Sequence, residues 1–304
     1  MLLAAMIWGT AFVAQADAAQ RIPAFTFSAL RSFIGSAVLI AYIVFRRAVN
    51  KEYGKKKIEW KKLLTAGAIC GVVLCIAMNL QQYGITVYPT QVNNIPGRSG
   101  FITALYVILV PVAGLLFHSK PHPTVWAAAG LAVIALWLLC LKNGFGGIYL
   151  GDILMLICAV AFTAQIITVA TLGKGVDSVM LSAVQFFVAG LLSLIAALLF
   201  EPKTPGNIIL QSWLPIAYVG VLSSGIAYTF QILGQKRTEP ALAAIVMSLE
   251  SVFAVLGGWL IMGDLLSLRE LLGCVLMFAA VLLAQSPQLI QHKKKIKIEN
   301  KNTE

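Results

Sequence analysis

Four ionisable side chains, Asp17, Arg31, Arg98 and Glu250, fall inside or at the edges of long apolar stretches. A charge at membrane depth costs several kcal/mol, so each marks a place where chemistry could be done. Arg31 carries a guanidinium, whose planar fork suits a carboxylate; one turn into its stretch, it could equally snorkel its head group to the interface. Arg98 sits in Asn93-Asn94-Ile95-Pro96-Gly97-Arg98-Ser99-Gly100. There Pro and Gly can break a helix and free backbone groups to face a cavity, or the break can simply fall at the outer interface. Glu250, near the middle of its stretch, could pair with an arginine, bind a proton for coupling, or cap a helix break. Asp17 reads as a site residue or as a solvated helix end.

Neutral polar side chains accompany these charges. Gln15, Asn79, Gln81, Gln82, Gln165, Gln185 and Gln231 all lie in apolar surroundings, where helix-to-helix hydrogen bonds worth roughly 1 kcal/mol explain them as well as a polar cavity does. Trp8, Tyr83 and Tyr228 would suit an aromatic cavity wall, although aromatics also mark membrane interfaces. The candidate substrate-binding set is therefore Trp8, Gln15, Arg31, Asn79, Tyr83, Asn94, Arg98, Gln165, Gln185, Tyr228, Gln231 and Glu250.

The same residue types argue against catalysis. A serine nucleophile in Gly97-Arg98-Ser99-Gly100 would need a general base, yet His118, His122 and His292 all fall in connections or in the tail. No HExxH pattern offers a metal site, and Gly263-Asp264 has no second aspartate at depth. Gly173-Lys174-Gly175 lacks the spacing of a phosphate-binding loop, so driving energy is expected from a gradient or from exchange. Five cysteines fall singly in apolar stretches and read as small buried side chains. No catalytic residue, metal or other cofactor is expected.

The elements that must position these side chains follow from composition. Of 304 residues 59% are hydrophobic and only 12% charged, half the charge of an ordinary soluble domain. A bilayer core of roughly 30 Å takes about 20 apolar residues per helix. The apolar runs are continuous rather than alternating, which excludes a barrel. Spans are expected near 2 to 19, 27 to 45, 63 to 82, 94 to 117 and 123 to 141, then near 152 to 171, 178 to 200, 210 to 234, 240 to 262 and 267 to 286. Gly67 and Gly71 read as a close helix contact.

The net charge of +11 sits between and after these spans, where basic residues set orientation rather than bind nucleic acid. Arg46, Arg47, Lys51, Lys55, Lys56, Lys57, Lys61 and Lys62 follow span two, and Lys293, Lys294, Lys295, Lys297 and Lys301 end the chain. With Lys120, Lys174, Lys236 and Arg237 they fall on one face, against Arg21, Lys142, Lys203 and Arg269 on the other. Both termini are therefore expected in the cytoplasm, with the basic tail of residues 288–304 also attracting anionic lipid.

Internal repetition divides the chain. Ile7, Phe12, Ala14 and Gln15 recur 150 residues later as Ile157, Phe162, Ala164 and Gln165. Ser28, Ala29 and Phe33 recur 154 later as Ser182, Ala183 and Phe187, with Gln185 answering Arg31. Gln81 and Gly84 recur as Gln231 and Gly234. Residues 1–142 and 148–287 are thus expected to be two copies of a five-span unit. Because five is odd, the second copy enters the membrane from the opposite face. Two inverted halves around a midplane site can open it alternately to each side, which is the architecture of a transporter.

Several stretches resemble a known family. Ala5-Met6-Ile7-Trp8-Gly9-Thr10-Ala11-Phe12, Phe27-Ser28-Ala29-Leu30-Arg31, and Phe101-Ile102-Thr103-Ala104-Leu105-Tyr106 to Val110-Pro111 resemble the EamA-type transporters of the drug/metabolite transporter superfamily, as do Met247-Ser248-Leu249-Glu250-Ser251-Val252-Phe253-Ala254, Gly263-Asp264 and Gly273. Two departures stand out: Ser251 replaces a common proline, leaving a proline kink in doubt, and Asp264 replaces a common glutamate. The resemblance implies an all-α membrane protein of ten transmembrane helices, a central cavity, and export or exchange of small metabolites such as amino acids. A proton-coupled uptake carrier or exchanger is the alternative, and an intramembrane enzyme a more distant one. The expected setting is a bacterial cytoplasmic membrane, with lipid and a small-molecule substrate as partners and a homodimer left open.

Overall fold

The computed structural model describes residues 1–50, 58–89, 92, 95–116, 121–140, 148–257 and 267–301, with side chains left aside for 139–140, 257, 285 and 287–301. Every regular element among them is helical. In order they are α1 (Leu2–Ala19), α2 (Ala24–Val49), α3 (Trp60–Thr86), α4 (Ile95–Thr103), α5 (Tyr106–Leu116), α6 (Pro123–Cys140), α7 (Leu150–Leu172), α8 (Ser178–Phe200), the short α9 (Gly206–Gln211) and α10 (Trp213–Ala217), a π-helical stretch (Tyr218–Ala227), α11 (Tyr228–Gln235), α12 (Pro240–Met247), α13 (Glu250–Gly257) and α14 (Leu268–Lys301). Seven stretches among the described residues are long and apolar enough to cross a membrane, and Pro123–Leu138 and Pro240–Leu256 are shorter apolar helices.

The molecule is inside-out relative to a water-soluble protein. Phe45, Leu198 and Leu199 are 65%, 70% and 70% exposed, while Gln82, Gln165 and Gln185 are fully buried. Apolar rims of this size are stable only against lipid. In hydrocarbon the backbone must satisfy itself, and helix ends are closed accordingly. The Glu201 carboxylate at the end of α8 accepts from Phe25 N at 2.7 Å and Thr26 N at 2.8 Å, capping the first turn of α2. Asp177 caps α8 through Val179 N at 3.0 Å and Met180 N at 3.1 Å.

Helices pack in pairs that repeat. α2 lies along α8 and α6 along α14; α3 packs on α7 and α8, as the π-helical stretch packs on α1 and α2; α1 packs on α13, as α7 packs on α4 and α5. Glycines permit the closest of these approaches. A methyl at Gly67 would meet Val184 at 2.4 Å, and one at Gly71 would meet the Gln185 carbonyl at 2.8 Å, so the pair seats α8 on α3. At Gly9 a methyl would meet the backbone of α13 itself, Glu250 O at 2.4 Å and Ala254 N at 2.7 Å. No side-chain rotation relieves that clash. Gly9→Ala is expected to cost about 1–3 kcal/mol, read as a lowered melting temperature in detergent; an unchanged value would show that α13 moves freely.

Two spans read as single helices from sequence are broken here. The stretch near 94 to 117 divides into α4 and α5 at Ala104-Leu105, and that near 240 to 262 into α12 and α13 at Ser248-Leu249. Pro96 and Gly97 do not interrupt α4: Pro96 falls in its first turn, where a missing N–H leaves nothing unsatisfied, as the reading of this segment as a helix end allows. Both real breaks lack Pro and Gly, and both tighten the same way. Leu105 N bonds Ile102 O and Val107 N bonds Ala104 O; 144 residues later Leu249 N bonds Val246 O and Ser251 N bonds Ser248 O. The second break therefore forms without the proline that Ser251 replaces.

Candidate functional site

The two breaks sit against one cavity. Thr103 and Tyr106 flank the first, Met247 and Glu250 the second, and all four line it together with residues from α1, α2, α3, α7, the π-helical stretch and α11. Its free volume in this state is about 40 Å³, space for a water or two, so a solute enters only where the walls part. Its lining is itself repeated: Phe12 and Phe162, Gln15 and Gln165, Gln81 and Gln231 all reach it, as do Tyr106 and Glu250, which are 144 residues apart.

Its ionisable side chains have no ion-pair partner among the described residues. Arg31, only 3% exposed, turns inward rather than snorkelling. Its Nη1 donates to Gln15 Oε1 at 2.9 Å, its guanidinium carbon lies 5.7 Å from the Phe27 ring centre, and its Nε is buried without a partner. Glu250, 5% exposed, accepts from the Tyr106 hydroxyl at 3.1 Å. Neither Arg31 nor Glu250 has an ion-pair partner among the described residues, and the two line one cavity without meeting each other. Leaving a buried charge unpaired is expensive. A resident solute carrying the complementary groups would offset that expense.

The apolar wall is aromatic. Trp8 meets Tyr228 edge-on with ring centres 4.8 Å apart, and Phe186 buttresses Tyr228 at 5.1 Å. Trp8 Nε1, Gln165 Nε2 and Gln231 Oε1 are buried and unpartnered, the last although Gln231 Nε2 donates to Gln165 Oε1 at 3.1 Å. Most of these idle groups are donors, which suits an acceptor-rich solute.

Of the residues singled out from sequence, the structure brings Trp8, Gln15, Arg31, Gln165, Tyr228, Gln231 and Glu250 together and places Asn79, Tyr83, Arg98 and Gln185 outside the cavity lining. Asn79 bonds Ser193 Oγ and Cys75 O, both at 2.8 Å, and so joins α3 to α8. Tyr83 is 46% exposed and stacks on Phe25 at 6.3 Å. Gln185 is buried with neither amide atom bonded. Arg98 forms a two-pronged pair with Asp152, Nε to Oδ1 and Nη2 to Oδ2 at 2.6 Å each. Tyr88 donates to the same carboxylate at 2.8 Å, and the Tyr149 ring lies 4.9 Å from the guanidinium. Asp17 is a solvated helix end paired to Arg21 at 2.9 Å. Asn94 and Gly263-Asp264 lie outside the described residues.

Sequence reasoning passed over Asp152, Thr103 and Tyr106, and left Phe12, Phe162 and Gln81 as repeat markers or packing residues. Their recurrence was a partial signal for the last three: Phe12 and Phe162 and Gln81 and Gln231 recur and reach the cavity, but Ile157 and Phe187 recur as well and face outward. Asp152 gave no such signal, lying at a helix start where acids are ordinary.

Comparison with known proteins matches this architecture. The model of the EamA-like transporter family fits residues 1–141 and again 149–285. An uncharacterized transporter of Archaeoglobus fulgidus is 26% identical over 93% of this chain and 83% of its own. The uncharacterized inner membrane transporter YedA of Escherichia coli is 26% identical over 95% and 90%, and the uncharacterized transporter YoaV of Bacillus subtilis 20% identical over 91% and 92%. A crystal structure 20% identical in sequence superposes with a TM-score of 0.70, covering 93% of this chain and 98% of the other; that likeness shows the fold.

Proposed function

Because the chain belongs to the EamA-like transporter family and is a multi-pass membrane transporter, we infer that it is a secondary carrier of small amino-acid-like solutes. It works by alternating access between ten spans arranged as two inverted five-helix halves with both termini in the cytoplasm. The observation that carries the substrate class is Arg31, a buried cation aimed into the cavity without a carboxylate partner among the described residues. Its fork takes the solute carboxylate, Glu250 takes the ammonium, and the wall of Trp8, Phe162 and Tyr228 takes the side chain. Support for two halves comes from the twofold fit of the family model and from helix breaks of one pattern 144 residues apart.

Reconstituted protein should exchange a radiolabelled amino acid from a panel of zwitterions and simple carboxylates in liposome counterflow. If no member of that panel moves, the reading fails. Glu250→Gln keeps an acceptor for Tyr106 and removes the charge. It should lower exchange of zwitterions about tenfold while sparing carboxylates without an ammonium, the loss of one charged hydrogen bond; equal losses for both classes would remove Glu250 from the ammonium role.

A further inference from the structure

Two repeat-related sets of polar side chains run through the helices that build the cavity; five of the six members line it and Gln185 does not. In the first half they are Arg31, Gln15 and Gln81; in the second Gln185, Gln165 and Gln231, at offsets of 154, 150 and 150 residues. Each set has a glutamine on the first helix of its half, Gln15 or Gln165, and the repeat makes the flanking members equivalent, Arg31 to Gln185 and Gln81 to Gln231. The halves have chosen differently. Gln15 bonds Arg31 at 2.9 Å, and Gln81, although it reaches the cavity, has no side-chain hydrogen bond among the described residues. Gln165 instead bonds Gln231 at 3.1 Å, leaving Gln185 fully buried with both amide atoms idle. In hydrocarbon an idle amide is a cost that packing alone does not require.

We propose that the two sets trade these bonds when the carrier reverses: Gln15 passes from Arg31 to Gln81, and Gln165 passes from Gln231 to Gln185. Inverted halves exchange conformations between the two end states, so the bond seen in one half here is the bond the other half makes there. Gln185 is on this account a positioning residue, idle in this state and acting through Gln165 in the other. Arg31, released by Gln15 in the other state, has its guanidinium free for solute. The two faces of the membrane would thus meet a cavity of the same lining with differently held clamps. The proposal rests on the inverted-repeat reading.

The test uses the full chain with its native cysteines replaced, one cysteine at Thr103 in the cavity, and a membrane-impermeant maleimide applied to right-side-out and inside-out vesicles. The ratio of labelling from the two faces reports the balance of states. Gln185→Leu and Gln81→Leu each delete a bond of the opposite state and should shift the ratio in one direction, by about fivefold for a buried hydrogen bond of this kind. Gln231→Leu deletes a bond of the present state and should shift it the other way. A purely structural Gln185 would raise thermal stability on substitution by Leu and leave the ratio alone, which would overturn the proposal, as would shifts of one sign in all three variants. Gln185→Met serves where Leu prevents folding. Single cysteines at Asn50 and Lys203, which follow repeat-related helices, test the premise: they should label from opposite faces, and labelling from one face would overturn the inverted reading and the exchange with it.

Discussion

Arg31→Leu is expected to abolish exchange of carboxylated solutes while leaving the protein as stable as before or more so. The two effects separate because they draw on different states. In the empty protein the guanidinium is almost wholly buried, has one hydrogen bond, to Gln15, and faces no carboxylate within ion-pairing distance among the described residues. Replacing an uncompensated charge by a side chain of similar reach removes a desolvation cost of about 1–3 kcal/mol, offset in part by stranding Gln15. In the loaded protein the same charge is worth a charge-assisted bond to the solute, so binding should weaken about 10- to 100-fold. Arg31→Lys keeps the charge but loses the fork that spans Gln15 and a ligand together, and should recover only part of the affinity. Melting temperature and counterflow measured on the same preparations decide the matter. If Arg31→Leu melts well below the parent and retains exchange, Arg31 is a structural residue and the carboxylate clamp lies elsewhere.

Much of this was legible in the residues because lipid makes the rules strict. A polar group cannot be hidden cheaply in hydrocarbon, so Gln15, Gln165, Gln231, Arg31 and Glu250 stood out as candidates by their depth, although Asn79, Gln82 and Gln185 are as deep and lie outside the cavity lining. The repeat also showed plainly, as the recurrence of Phe12 and Gln15 at Phe162 and Gln165. What sequence could not supply was partnership. Arg31 and Arg98 are the same residue type in similar apolar surroundings, yet one faces a cavity and the other a carboxylate 54 residues away. That distinction depends on how α4 meets α7, which no local pattern encodes. The helix breaks went unread for a related reason. Proline is a local signal and Pro96 was read as one, whereas the breaks at Ala104-Leu105 and Ser248-Leu249 carry neither Pro nor Gly. Only in the second does a polar side chain contribute, with Ser248 Oγ donating to Ile245 O at 2.8 Å, a local competitor of the helical ladder. Tyr106, just past the first break, donates to Glu250, just past the second, at 3.1 Å, a contact between the two halves that no local pattern encodes.

The Arg98–Asp152 pair carries the other large effect, and it falls on stability. Both side chains are about nine-tenths buried, with side-chain exposures of 7% and 10%, and the carboxylate also accepts from Tyr88 and from Tyr149 N at 2.8 Å. This ties the start of α4 to the start of α7 and to the chain leaving α3, three elements that must stay in register for α4 to present Thr103 to the cavity. Removing one member leaves the other charge buried and unmatched, which costs roughly 3 kcal/mol. Asp152→Leu and Arg98→Leu should each lower the melting temperature strongly. The double variant, which strands neither charge, should recover a good part of the loss, because a well-packed apolar pair often replaces a buried ion pair at small net cost. Asp152→Asn should fall between, keeping an acceptor for Arg98 and Tyr88 without the charge. A double variant no more stable than the worse single one would show that the two residues act independently, the one outcome a mutual clasp forbids. A double variant that folds yet exchanges solute normally would confine the pair to holding α4 in place, leaving Arg31 as the cation that meets the solute.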